Sequence, residues 1–129
     1  DANENSIVTY MQFYDTSILF MGDLGIKGEK ELLKQYPKLQ ADILKVGHHG
    51  SSTSSSSVFL HTLHPKLALI SAGRNNRYQH PHQNVIENLH KENIHELTTK
   101  EKGAVSIKIC KYFYFYKTVE QEFGIITHR

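Results

Sequence analysis

The sequence predicts an α/β fold, a mixed sheet carrying helices on one face, and three observations lead there. Short β-branched or aromatic runs alternate with amphipathic stretches in the order ββ, α, β, α, β, α, ββ. The run Leu67-Ala68-Leu69-Ile70 is apolar without alternation, as strands of doubly covered parallel sheets are. No repeat or clear linker divides the 129 residues, which fit one domain.

Each element has a local cause. Ile7, Val8, Tyr10, Met11, Phe13 and Tyr14 form a strand, Asp15-Thr16 a turn, and Ser17 to Met21 the returning strand of a hairpin. Leu32, Leu33 and Tyr36 share one face of a helix from Gly28 to Tyr36, which Pro37 ends. Ala41 to Val46 has the pattern of a short buried strand, and Val58, Leu60 and Leu63 mark a helix before Pro65. Leu67 to Ile70 is broken by Gly73-Arg74-Asn75-Asn76. Pro81 suits a first helical turn, and Val85, Ile86 and Leu89 continue a helix to about Glu92. Ile94 to Thr98 and Ala104 to Ile109, separated by Glu101-Lys102-Gly103, are expected to close the domain as a hairpin.

Composition narrows the classes. With 39% hydrophobic and 22% charged residues, 6 Phe and 7 Tyr, the chain is neither collagen-like nor disordered. No apolar stretch approaches the roughly 20 residues of a membrane span. The lack of an initiator Met and of a basic, apolar leader before Asp1 leads us to expect a mature product or a piece of something longer. A net charge of +2 names no nucleic-acid partner, and the single Cys110 excludes an internal disulfide. Nine histidines stand out, because imidazole both binds metals and moves protons near neutral pH.

Three loops, each after a strand, hold most of this chemistry: Gly22-Asp23, Gly47-His48-His49-Gly50-Ser51, and the stretch from Asn75 to His82. Sites in open α/β sheets form outside the carboxyl ends of strands, so the loops can converge. An aspartate with several imidazoles and no thiolate cluster suits a divalent ion such as Zn or Mn, which can polarise a phosphoryl oxygen and generate hydroxide.

Gly22-Asp23-Leu24, the stretch from Asp42 to Ser51, and Asn75-Asn76-Arg77-Tyr78 with His80-Pro81-His82 resemble the C-terminal half of the metallo-β-lactamase-like domain of ComEC/Rec2 DNA-internalisation competence proteins. The resemblance covers about Ser6 to Ile109 and makes residues 1–129 one partial domain, with 112–129 as its C-terminal tail. It implies half of an αββα sandwich in a polytopic membrane protein of DNA uptake, with this domain outside the membrane. The implied partners are DNA, through the parent protein, and the N-terminal half of the domain; the membrane is met only through the parent.

The resemblance makes Asp23 the bridging metal ligand. Adjacent His48 and His49 would point opposite ways on an extended segment, so one of them ligates. The residues alone leave the two exchangeable. By resemblance His49 takes the metal, while His48 takes a catalytic, phosphate-contacting role. His80 contacts a phosphate or donates a proton to a leaving oxygen, or else opens a helix beside Pro81. Gly50 and Ser51 offer backbone amides to the phosphate, and Asn76 and Arg77 supply substrate contacts. The family's His-x-His-x-Asp-His or His-x-Asp-x-Asp-His segment is absent from these residues, as is a further upstream histidine ligand. This chain alone is therefore expected to hold an incomplete metal site and to be inactive.

Three functional readings follow: a metal-dependent nuclease or phosphodiesterase half-domain, a non-catalytic DNA- or partner-binding module, and a phosphorylcholine-type phosphodiesterase. Outside the three loops, Ser51 to Ser57 reads as a solvated loop with Ser55 or Ser56 as a helix cap. His61, His64, His90, His95 and His128 read as surface or packed residues, and His82 as structural. The aromatic run from Lys111 to Lys117 has the composition of a base-stacking surface but fits a strand packed on the sheet better. A half-sandwich leaves one sheet face bare, so self-association as a homo-oligomer is expected.

Overall fold

The computed structural model describes residues 2–128. After a short 3-10 turn at Ala2–Asn5, β1 (Thr9–Phe13) and β2 (Thr16–Phe20) form the expected antiparallel hairpin. The chain then alternates helix and strand: α1 (Ile26–Gln35), β3 (Ile43–Lys45), α2 (Ser57–Leu63), β4 (Leu67–Ile70), α3 (Gln83–Lys91) and β5 (His95–Thr98). β2, β3, β4 and β5 pair in parallel, giving a mixed sheet in the order β1-β2-β3-β4-β5.

Strand alternation sends Leu19, Leu44, Ala68 and Ile70 to one face, where they bury against Phe59, Leu60 and Leu63 of α2 and Val85 and Leu89 of α3. Each Leu, Ile, Val or Phe among them contributes about 1.5–3 kcal/mol on leaving water. Ser56 caps α2 by accepting from the Phe59 amide at 3.3 Å. Glu29 of α1, itself buried, accepts from the amides of Ser55 and Ser56.

Two expectations change at the C-terminal end. Residues 94–98 and 104–109 do not form a hairpin. β5 stays in the first sheet, and a short helix α4 (Thr99–Lys102), started by the Thr98 hydroxyl on the Lys100 amide at 3.0 Å, turns the chain away. Gly103 completes the turn at φ 68, a conformation that favours glycine. β6 (Val105–Ile109), β7 (Phe113–Thr118) and β8 (Phe123–Thr127) then make a separate antiparallel sheet. The stretch 112–129, set apart in the sequence as a tail, thus contains β7 and β8.

The three-stranded sheet lays Tyr114 and Tyr116, with Ile107, Ile109 and Ile126, onto Ile43, Leu67 and Leu97. That is the face of the first sheet left bare by the half-sandwich reading. The chain's own end covers it, and the ground for expecting self-association through that face is removed. The aromatic run does form a strand packed on the sheet, with alternate residues facing outward.

Candidate functional site

The loops after β2, β3 and β4 converge at the carboxyl end of the parallel strands. His48 N–H donates to Gly22 O at 2.9 Å, and His82 N–H to Gly50 O at 2.9 Å, which ties the three loops together. Gly50 sits at φ 79, and a Cβ there would lie 2.6 Å from Pro81 Cβ, so the second loop can close on the third only with glycine. The serine tract is not a solvated loop. Ser51, Ser54 and Ser55 are buried, and the Ser54 hydroxyl donates to Gly47 O at 2.9 Å, bracing the histidine loop from below.

His48 and His49 both occupy the left-handed region, at φ 48 and 55, so the extended geometry in which they would diverge does not exist here. Two adjacent non-glycine residues in that region cost about 1–3 kcal/mol each. Both rings gather about His80, with centroid distances of 5.8 Å from His48 and 6.3 Å from His49.

His49 Nδ1 lies 2.8 Å from the Ser71 carbonyl, which can only accept, so Nδ1 carries the proton. In the neutral ring the lone pair is then on Nε2, and Nε2 stands 3.8 Å from Asp23 Oδ1. Two donors bound to one tetrahedral ion at about 2.1 Å stand about 3.4 Å apart, so this pair fits a shared divalent cation after a small adjustment. It supplies two ligands. Among the described residues no group of three or more His, Cys, Asp or Glu is arranged to hold a metal ion.

His80 is 8% exposed, and its pKa is lowered from the ordinary 6.5 by burial first, then by His82, His48 and His49. With His49, Ser71, Gly73, Asn76 and Tyr78 it lines a groove of about 320 Å³. Asn76 is fully engaged within its own loop: its Oδ1 accepts from the His80 amide at 2.6 Å, and its Nδ2 donates to Gly73 O and His80 O, each at 2.8 Å. Ser51 likewise directs its amide to His48 O at 2.9 Å rather than outward. Arg77 is exposed at the loop tip, its guanidinium 6.0 Å from the Tyr78 ring centre. His82 accepts from the Ser52 amide at 2.8 Å through Nδ1 and donates to Tyr78 O at 2.9 Å through Nε2, a structural clamp.

One residue escaped the sequence reading. Lys45, at the carboxyl end of β3, is half-buried; burial lowers its pKa, and the Asp23 charge opposes that shift. Its signal was a lone cation inside the apolar run from Ile43 to Val46. The remaining histidines lie away from the site, four of them beside carboxylates: His61–Glu92, His90–Glu96, His95–Glu122 and His128–Asp42.

The fold and these loops define an α/β domain with a histidine-rich site at the carboxyl edge of its parallel strands. No family model matches the chain. It is 43% identical over 106 residues to ComE operon protein 3 of Bacillus subtilis, a match covering 82% of this chain and 14% of that protein. It is 39% identical to Competence protein ComA of Neisseria gonorrhoeae, over 81% of this chain and 15% of that protein. Recombination protein 2 of Haemophilus influenzae is 36% identical, over 81% of this chain and 13% of its own length. The chain belongs to this ComEC/Rec2 family of competence proteins, as the counterpart of a segment spanning about one seventh of its relatives.

Proposed function

We propose that this chain is the C-terminal half of a metallo-β-lactamase-like hydrolase domain that cleaves phosphodiesters of incoming DNA in a membrane-anchored competence protein. The domain then lies outside the membrane, reached by DNA before the strand is internalised. Among the described residues no helix is long and apolar enough to cross a bilayer. The observation that carries the reading is the His49–Asp23 pair, its imidazole oriented by Ser71 so that Nε2 meets the carboxylate.

Asp23 and His49 hold one side of the metal. A bound Zn or Mn ion supplies electrophilic activation of a phosphoryl oxygen and a hydroxide near neutral pH. Ser71 fixes the His49 tautomer, and His80, held neutral by burial, faces the groove, where it can accept or donate a proton. Arg77 and Lys45 bring positive charge toward a phosphate backbone. The other ligands come from the upstream half, so this chain alone is inactive.

Elemental mass spectrometry on this chain and on the longer protein that includes the upstream half tests the reading. Metal is expected in the longer protein and lost from it in Asp23→Asn or His49→Ala. Metal in neither protein overturns the hydrolase reading and favours a binding module. Two tightly bound ions with phosphodiester cleavage by the short chain would overturn the split site.

A further inference from the structure

The backbone of Asp23 is held from outside its own loop, and the holder is Ser6. The Ser6 amide closes the 3-10 turn of Ala2–Asn5 by donating to Asn3 O at 3.1 Å, and the chain then passes over the connection from β2 to α1 before it enters β1. This strap lies directly against the connection. A Cβ on Gly22 would meet Ser6 Cβ at 3.2 Å and Ile7 O at 3.3 Å, and one on Gly25, the N-cap of α1, would meet Glu4 Oε1 at 2.7 Å. Glu4 thus brings a carboxylate to the amino end of α1, where helix polarity favours negative charge.

Hydrogen bonds aim the contact at Asp23. Its N–H donates to Ser6 Oγ at 3.2 Å, across 17 residues of sequence. On the same peptide unit, Gly22 O accepts from His48 N–H at 2.9 Å. The planar Gly22–Asp23 peptide is therefore pinned at both ends, its carbonyl by the histidine loop and its amide by the strap. The next peptide is fixed as well, because Leu24 N–H closes the turn on Met21 O at 3.2 Å. With the planes on both sides of Asp23 set, its side-chain torsions alone decide whether Oδ1 stays 3.8 Å from His49 Nε2.

We infer that Ser6 is a positioning residue for Asp23, holding the turn so that the carboxylate faces His49. The inference rests on the metal-site reading of Asp23 and adds a residue that acts only through that ligand. Groups that hold metal ligands in place change metal affinity by about 10–100-fold when removed.

Two measurements test it. Amide hydrogen exchange by NMR on this chain reads the hydrogen bond without metal. Ser6→Ala should speed exchange at Asp23 about fivefold, the equivalent of one hydrogen bond, and leave the amides of β4 unchanged. Ser6→Thr keeps the hydroxyl and should restore protection. Competition with a chromophoric chelator, for zinc and for manganese, reads the ligand in the longer protein that includes the upstream half. Ser6→Ala should weaken metal binding about 10–100-fold, and Ser6→Thr should recover most of it, at urea midpoints close to the parent's. Unchanged Asp23 exchange in Ser6→Ala overturns the inference, as does parent-like metal affinity in that variant. Equal metal loss in the alanine and threonine variants, with lowered urea midpoints, overturns it too, because the contact then serves stability alone. A parent that binds neither ion overturns the hydrolase reading instead, and Asp23 exchange in this chain still decides whether Ser6 holds the turn.

Discussion

Two aspartate–histidine pairs sit at opposite ends of the five-stranded sheet, Asp23–His49 at 3.8 Å and Asp42–His128 at 3.9 Å, and only their surroundings tell them apart. Asp42, at the amino end of β3, accepts from the Ser17 amide at 2.7 Å and the Ser17 hydroxyl at 2.9 Å. His128 Nε2 lies 2.6 Å from the Thr16 hydroxyl, and both side chains are largely buried, at 12% and 21% exposure. Asp23 and His49 are about half exposed, at 47% and 51%, on loops with left-handed backbone. The same residue types thus fasten two sheets at one end and face solvent at the other. What distinguishes a fastening from a site is whether the polar atoms have already found partners.

Breaking the fastened end should have the largest effect. Tyr114, fully buried beside His128 at a ring distance of 5.9 Å, joins the two sheets, and Tyr114→Ala should destabilise the chain by about 3–5 kcal/mol in urea unfolding. Among the described residues its hydroxyl is buried without a hydrogen-bond partner, so Tyr114→Phe should leave stability equal or higher. A loss in the Phe variant comparable to the Ala loss would show that the hydroxyl, not the ring, fastens the sheets.

The next effect tests the two aspartates directly. Asp42→Ala removes a charged acceptor from two donors and should cost about 1.5–3 kcal/mol. Asp23→Ala should change stability by no more than about 0.5 kcal/mol, as substitutions at exposed, unfastened positions do. Equal losses in denaturant midpoint would erase the contrast between the ends.

The sequence made the parallel core legible because its cause is local: apolar periodicity places Leu67–Ile70 and α3 within a few residues of their observed bounds. Strand partnership is not local. Glu101-Lys102-Gly103 does turn the chain, but only Tyr114 and Tyr116, further along, decide that β6 leaves β5 for β7. The serine tract misled for the same reason, since its order depends on Glu29, 26 residues from Ser55. At the site, the motifs marked the three loops that converge, but the tautomer of His49 depends on Ser71, and the Ser51 amide and the Asn76 side chain are engaged by hydrogen bonds within their own loops, which no motif shows.

The smallest effect is a change of slope with pH, and it sharpens the contrast from the site's side. Burial and three neighbouring imidazoles hold His80 below its ordinary pKa of 6.5, so the folded chain binds less than its share of that proton. Where the unfolded state binds more protons, stability rises with pH. His80 therefore contributes its full stability above 6.5 and loses it as the pH falls from 6.5 through its lowered folded value. His80→Asn should flatten that acid limb when urea midpoints are compared from neutral to mildly acidic pH, with the neutral-pH midpoint changed far less than in Asp42→Ala. An acid limb as steep in the variant as in the parent would place the titration elsewhere and free His80 to be charged in the groove, where it could no longer accept a proton.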